Sequence, residues 1–522
     1  VQGREIVKPR TLLLYSAPRS GVGDEWMSFL PIGLGYLQSL LKRRGFPCRL
    51  ANLSGKSRKE VLAYLGTQDA QVIGVSMFTF NRKRSCELLA LAREVHPAAV
   101  RVAGGPHPTH LAEEVFEECP ALDAIVKGEG ELPLLGLVER LASGSEPWTS
   151  TPGLILRSGE TAPQPPVQDL DSLGFPAERF EADFMADPGQ LGYLSTSRGC
   201  PASCNFCNTP AFWGSAIRFR SPDSVLREMA FLRERHGLTY FSFRDDTFTA
   251  RKSRVLALAE GLRRSGLHAL WNCQSRVNMV DEERLVAMKR AGCEFIQFGV
   301  EHASGRVLKL LDKGTSPAQA RGALALARKV GLNLGIYLIT GIPGEAWQDV
   351  EASAALIREA RPHDVQVAPL AVYPGTGLFA RYLAEGRIDR DFFRRSGDAE
   401  VFARIDAHTE KALRHLAQTA SRVASGYTPA EFAAQKRWLG FCAVTNLLCG
   451  EAAETAGRFP EAEAEYDEII RKEPRNPWGF LRRALLRERA GRTREARADL
   501  REVLALAPGN PEAVRLAADW GT

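Results

Sequence analysis

The stretch Ser197-Arg198-Gly199-Cys200-Pro201-Ala202-Ser203-Cys204-Asn205-Phe206-Cys207 sets three cysteines at C-x3-C-x2-C spacing, just after a run that reads as a strand. Three thiolates packed this closely can each ligate one iron of a cubane [4Fe–4S] cluster. No fourth cysteine follows at short spacing, so the fourth iron would stay open to a small molecule. The competing reading is a zinc knuckle or core thiols. Zinc usually takes four ligands, with a second pair at a distance, and the sequence offers no such pair.

Around this run, residues 191–391 repeat a strand–loop–helix pattern. Strands are expected at Leu191–Ser195, Tyr240–Arg244, Leu270–Gln274, Phe295–Val300, Leu334–Thr340 and Val365–Ala371, with amphipathic helices between them. That makes six β/α units, and β/α barrel enzymes place their chemistry at the carboxyl ends of the strands. Polar and glycine residues gather at those ends. Asp245 and Asp246 close the second strand, Gln274, Ser275 and Arg276 the third, and Glu301 the fourth. Gly341-Ile342-Pro343-Gly344-Glu345 follows the fifth strand and Tyr373-Pro374-Gly375-Thr376 the sixth.

Upstream, residues 1–145 alternate short apolar runs with amphipathic helices, which predicts a parallel sheet covered on both faces. Strands are expected at Thr11–Tyr15, Cys48–Leu53, Val72–Ser76, Val100–Ala103 and Ala124–Val126. Such sheets bind ligands beyond the carboxyl ends of their strands. The loops there are Ser76–Asn81, Gly104-Gly105-Pro106-His107-Pro108-Thr109 and Gly128-Glu129-Gly130-Glu131. Their glycines let a backbone approach a large flat ligand.

Taken in order, these motifs resemble those of the cobalamin-dependent radical S-adenosylmethionine (SAM) enzymes, a class B methyltransferase-like family, across about residues 10–390. The resemblance implies that Cys200, Cys204 and Cys207 hold the cluster, while SAM chelates the open iron through its amino and carboxylate groups. It implies that Phe206 packs near the adenine. Asp245, Gln274, Ser275, Arg276 and Glu301 would hold the ribose hydroxyls and the methionyl group, and Gly341 and Pro343 would leave room for the adenosyl moiety. Ser76, Phe78, Thr79, Gly104, Gly105, His107, Gly128, Glu129, Gly130 and Glu131 would surround cobalamin.

Two departures bear on mechanism. Methionine-synthase-like domains carry Asp-x-His-x-x-Gly after the first strand, whereas here Ser16–Gly21 contains no histidine. Cobalamin is therefore expected without a histidine ligand and with its own base displaced, its lower face meeting Ser76–Asn81. His107, between two prolines, reads as a loop residue on the ligand's periphery rather than a replacement ligand. In the barrel, His302 follows Glu301 where serine is usual, and no role is assigned to it.

The expected fold class is α/β with a helical tail: a doubly wound, Rossmann-like cobalamin domain at 1–145, a linker at 146–190, and a partial (β/α)6 barrel at 191–391. A helical connector at 392–440 precedes tetratricopeptide-like helices at 441–522. The tail repeats itself. Gly457-Arg458 recurs at Gly491-Arg492, and Asn476-Pro477 at Asn510-Pro511, an offset of 34 residues. That is the tetratricopeptide period, and about two units fit, too few for a free-standing stack. The tail should lean on the barrel, and it would serve as a protein-docking module, a lid or a dimer contact.

A chain of 522 residues predicts roughly three domains. The formal charge of +6 supports neither a nucleic-acid stripe nor a polybasic membrane anchor. No apolar run is long enough to span a membrane, and no signal-peptide pattern is visible. The other seven cysteines are scattered, which is not a disulfide framework, and a reducing cytoplasm fits best. The resemblance implies a C-methyltransferase moving methyl from SAM via methylcobalamin to an unactivated carbon or phosphorus centre, through a 5′-deoxyadenosyl radical. The alternative is a non-methylating relative that performs oxidative cyclisation or ring rearrangement. A methylthiotransferase would show three further N-terminal cysteines and an RNA-binding tail, and neither is visible. Expected partners are a small-molecule or peptide substrate, an electron donor such as flavodoxin or ferredoxin, and a protein met by the tail.

Overall fold

Thr11–Tyr15 (β1) is an uninterrupted apolar strand, buried along its whole length. Such a run is stable only inside a sheet covered on both faces. It lies between Cys48–Asn52 (β2) and Val72–Ser76 (β3), parallel to both. Val100–Gly104 (β4) and Ala124–Val126 (β5) continue the sheet in the same sense. Alternate side chains of β1 enter two separate cores: Leu12 and Leu14 join Ile73 and Val75, while Leu13 and Tyr15 join Val72 and Val102. The order β5-β4-β3-β1-β2 is doubly wound, with its switch point between β1 and β3. The computed structural model describes residues 8–17, 28–185, 188–398, 402 and 405–521.

Residues 146–190, expected as a linker, contribute to this sheet. Leu154–Leu156 (β6) and Gly159–Glu160 (β7) add antiparallel strands beyond β5, and Ala182–Asp183 (β8) adds a parallel one beyond β2. Two- and three-residue edge strands are too short to display a period, so the sequence reads as coil. Pro106–His110, expected as loop, forms a short helix with proline at its start.

A second sheet has six parallel strands in chain order: Tyr193–Leu194, Tyr240–Phe243, Leu270–Arg276, Cys293–Glu301, Asn333–Thr340 and Asp364–Pro369. This is the partial barrel with its six β/α units. Contacts divide the chain into two compact units that do not follow chain order. The first gathers Val1–Gln190, Gly199–Phe219 and Ala371–Ala403; the second gathers Leu191–Arg198, Arg220–Leu370 and Arg404–Thr522. The cysteine loop therefore folds in the unit of the first sheet.

In the second unit the tail helices Ala443–Thr455, Phe459–Lys472, Pro477–Arg489, Thr493–Leu506 and Pro511–Trp520 pack in succession. Ala462, Tyr466 and Ile469 are buried at the same helical positions as Ala496, Leu500 and Val503, which is the repeat read from the sequence. The tail does lean on the barrel. Its core includes Leu270 from a barrel strand. Asn510 Nδ2 donates to Gly237 O (3.2 Å) and Thr239 Oγ1 (3.1 Å), and Arg233 donates to Leu506 O (3.0 Å).

Candidate functional site

Cys200 and Cys204 are buried and Cys207 is half-buried; none of the ten cysteines forms a disulfide. Gly199 precedes them at φ +95°, where an added Cβ would stand 2.8 Å from Ala216 O, so the loop turns inward through a residue with no side chain. Two further segments of the first unit grip this loop. Asn208 Nδ2 donates to Pro374 O (2.9 Å), and Leu378 N donates to Asn205 O (2.7 Å), so the Tyr373–Thr376 turn clamps it. Arg218, at the loop's far end, pairs with Glu129, and both side chains are about nine-tenths buried. Glu129 Oε2 also accepts from Val167 N (3.3 Å). The expected cobalamin residue Glu129 thus ties the loop after β5 to the cysteine segment.

The donor set fits a cluster, with three thiols on one eight-residue loop. Among the described residues, no three His, Cys, Asp or Glu side chains are grouped to hold a single metal ion.

At the switch point, Asn81 stitches two loops together. Its Nδ2 donates to Ser16 O (3.1 Å) and Ser76 O (3.2 Å), and its Oδ1 accepts from Phe78 N (2.7 Å). Phe78 and Phe80 stack with centroids 5.2 Å apart. Thr79 is buried, and His107 Nδ1 lies 3.2 Å from its Oγ1. His107 is itself 2% exposed; burial, then the nearby Arg82 and His110, pushes its pKa down to about 3. It is a neutral residue buttressing Thr79 from within. Gly105 sits at φ +113°, with Met77 O only 2.6 Å from where a Cβ would be. Gly104 lies beside Val126, and Gly130 beside Leu37. Gly128 has open space at its Cβ position, so the backbone there is bare, and its N–H donates to Thr109 Oγ1 (3.1 Å). Glu131 is buried at the start of the helix Glu131–Ser143. Bare backbone and glycine turns beyond β3, β4 and β5 suit a broad planar ligand such as a corrin. Of the histidine-free loop after β1, Pro18–Gly21 lie outside the described residues.

The second unit holds the residues expected to meet SAM, except Phe206, which lies in the cysteine loop of the first unit. Glu301 ends its strand at φ +64°, a conformation costly for a non-glycine residue, and its Oε1 takes Lys313 Nζ at 2.7 Å. Gly299 leaves room for that pair. Gln274 Nε2 donates to Tyr337 Oη (3.2 Å), Ser275 meets Thr249, and Arg276 donates to Lys313 O. Asp245 also has a structural task. Its carboxylate accepts from Thr196 N (2.6 Å), Ser197 N (3.0 Å) and the Thr196 hydroxyl, so it braces the segment before the cysteine loop. Phe206 is half-buried and Pro343 exposed.

Gly341 carries the sharp turn at φ +75°, with Thr409 packed where its Cβ would stand. Glu345 holds that turn, accepting from Gly341 N (2.9 Å), Thr340 Oγ1 (2.8 Å) and His302 Nε2 (3.0 Å). His302 Nδ1 accepts from Ser304 N (3.0 Å), which fixes the tautomer with its proton on Nε2. Burial raises the Glu345 pKa, but these hydrogen bonds outweigh it and leave the carboxyl below its usual value. His302, unassigned in the sequence, is thereby a supporting residue of the turn. Its substitution for serine was the only signal. Arg218 and Arg82 carried no signal at all, because their partners lie far away in sequence. A cavity of about 310 Å³ lined by Arg321, Arg328, Lys329 and Glu431 sits among outer helices of this unit, and those charges are paired with one another or with neighbours.

Comparison with known proteins bears directly on these two units. Residues 194–357 match the radical SAM superfamily, and residues 28–138 match the B12 binding domain. An uncharacterised methyltransferase of Pyrococcus horikoshii is 30% identical over 401 residues, covering 75% of this chain and 86% of that protein. An anaerobic magnesium-protoporphyrin IX monomethyl ester cyclase of Rubrivivax gelatinosus is 26% identical over 71% of this chain and 69% of its own length. Among solved structures, the radical SAM methyltransferase TsrM of Kitasatospora setae, with cobalamin and a [4Fe–4S] cluster bound, shares the fold at a TM-score of 0.64 and 16% identity, over 88% of this chain and all of that one. No described helix is long and apolar enough to cross a membrane. Both domain matches, and a relative aligned along most of both chains, show that the chain belongs to the cobalamin-dependent radical SAM enzymes, whose cofactors are a [4Fe–4S] cluster, SAM and cobalamin.

Proposed function

We propose that this chain is a methyltransferase that moves the SAM methyl group by way of cobalamin to an unactivated carbon or phosphorus centre of a small molecule or peptide. The observation that carries this reading is the seating of the cysteine loop in the unit of the B12 binding domain, through Arg218–Glu129 and Asn208–Pro374. The cofactors supply the radical and methyl-carrier chemistry, and the protein supplies orientation and exclusion of water. Cys200, Cys204 and Cys207 hold the cluster. Gly341 and Pro343 would leave room for SAM at a turn kept in place by Glu345, and Glu301, Gln274, Ser275 and Arg276 would offer it polar groups. Asp245 acts at one remove, through Thr196 and Ser197. Ser76, Phe78, Thr79, Gly104, Gly105, Gly128, Glu129, Gly130 and Glu131 border the corrin, and His107 supports Thr79. A flavodoxin or ferredoxin would deliver electrons in the cytoplasm, and the tail helices would admit a protein partner.

The test uses anaerobically reconstituted enzyme, a chemical reductant and SAM labelled in its methyl group, with a small-molecule extract as substrate pool. Label should enter a new product alongside 5′-deoxyadenosine, and Cys204→Ala should abolish both. The likeness to the cyclase favours a second reading, oxidative cyclisation. Product formation without label would establish it and overturn methyl transfer.

A further inference from the structure

The helix Arg82–Val95 begins right after the loop Ser76–Asn81, and its N-cap residue, Asn81, makes no side-chain bond to it. Helix N-termini leave orphan N–H groups, and asparagine at the N-cap ordinarily accepts from the second or third of them. Here Asn81 is occupied elsewhere, holding Ser16 O, Ser76 O and Phe78 N. The missing cap arrives from a segment more than 300 residues downstream. Asp398 Oδ1 accepts from Lys83 N (2.8 Å), and its Oδ2 accepts from Arg84 N (3.2 Å).

Arg82 fastens that segment. Its guanidinium is fully buried and donates to Phe393 O, Ser396 O and Gly397 O, each at 2.8 Å, and to Thr79 O at 2.6 Å. It lies 5.3 Å from the Phe393 ring centroid, and that ring also meets His107, edge to face at 5.4 Å. The sequence places residues 392–398 in a helical connector that follows the barrel. Instead they belong to the first unit and finish its switch-point loop.

We propose that Asp398 and Arg82 are positioning residues for the corrin-side loop. Asp398 caps the helix Arg82–Val95 from a distance, so that Asn81 stays available to hold the loops after β1 and β3 in their ligand-ready form. Remove the carboxylate and the first-turn amides of that helix compete for the Asn81 side-chain oxygen, which releases Phe78 N and loosens Ser76–Asn81. This rests on the reading that those loops face cobalamin.

The test compares full-length wild type with Asp398→Ala, Asp398→Asn and Arg82→Lys. Hydrogen exchange of the cofactor-free proteins reads the loop itself, equilibrium dialysis against hydroxocobalamin reads affinity, and iron content reads the cluster loop. Asp398→Ala should speed exchange at Ser76–Arg84 while leaving β2 protected, and weaken cobalamin about tenfold, the effect of losing one strong cap. Asp398→Asn, which keeps one acceptor, should recover most of the loss, and iron content should stay at the wild-type level. Unchanged exchange in Asp398→Ala overturns the proposal whatever cobalamin does. Faster exchange with unchanged affinity leaves the cap standing but overturns the corrin-side placement of the loop, and with it the positioning role. Loss of iron and cobalamin together in all three variants also overturns it, since the segment would then be holding the whole unit.

Discussion

Glycine at 105 and histidine at 107 show how single residues shape this loop. At Gly105, positive φ and the closeness of Met77 O combine, so a methyl group is strained twice. Gly105→Ala should destabilise the first unit by about 1–3 kcal/mol and weaken cobalamin binding, read by thermal melting and dialysis. His107 carries a pH signature. Its pKa in the fold, about 3, lies below its ordinary value of 6.5, so the unfolded chain binds a proton that the folded chain refuses. The neutral ring's contribution is therefore complete above about pH 6.5 and is lost as pH falls toward 3. Urea titrations of the cofactor-free protein should show stability falling across that window, and His107→Gln should flatten the slope. An unaltered slope would show that another group controls the acid limb.

Among elements, the tail helices are bound into the barrel more deeply than a docking appendage. Asn510 both caps the last helix, accepting from Ala513 N (3.0 Å), and reaches Gly237 O and Thr239 Oγ1. Cys442 brings a further contact, to Lys289 O (3.8 Å). Truncation after Gly440 should therefore expose Leu270 and its neighbours and yield aggregated protein. Asn510→Ala should cost about 1–3 kcal/mol through the lost cap and the stranded Gly237 carbonyl, measured as a fall in urea midpoint. Soluble, folded truncated protein would show instead that the helices are separable.

For the whole molecule, the consequence of two compact units is loss of all-or-none unfolding. Each has its own apolar core: residues around Leu12 and Leu13 in one, and residues around Leu270 and Tyr466 in the other. Calorimetry of the cofactor-free chain should give a van't Hoff enthalpy well below the calorimetric value. Equal enthalpies would mean that the units melt as one. Saturating cobalamin should raise the transition of the first unit selectively, by mass action on the state that binds it.

The sequence by itself determined the three closely spaced cysteines, the positions of the main parallel strands along the chain, the glycine turns at their carboxyl ends and the period of the tail. Each of these is a local matter, written in spacing, alternation or a residue that tolerates positive φ. Only the tertiary structure decided which segments share a unit. It sent Gly199–Phe219 and Ala371–Ala403 to the first sheet and recruited β6, β7 and β8 from an apparent linker. It also bonded Asp245 to Thr196 and Ser197, and joined Asp398 to the helix Arg82–Val95 and Arg218 to Glu129. Those pairings satisfy buried donors and acceptors with whatever the chain brings near in space, and hydrogen-bond demand of that kind leaves no periodic trace along the chain.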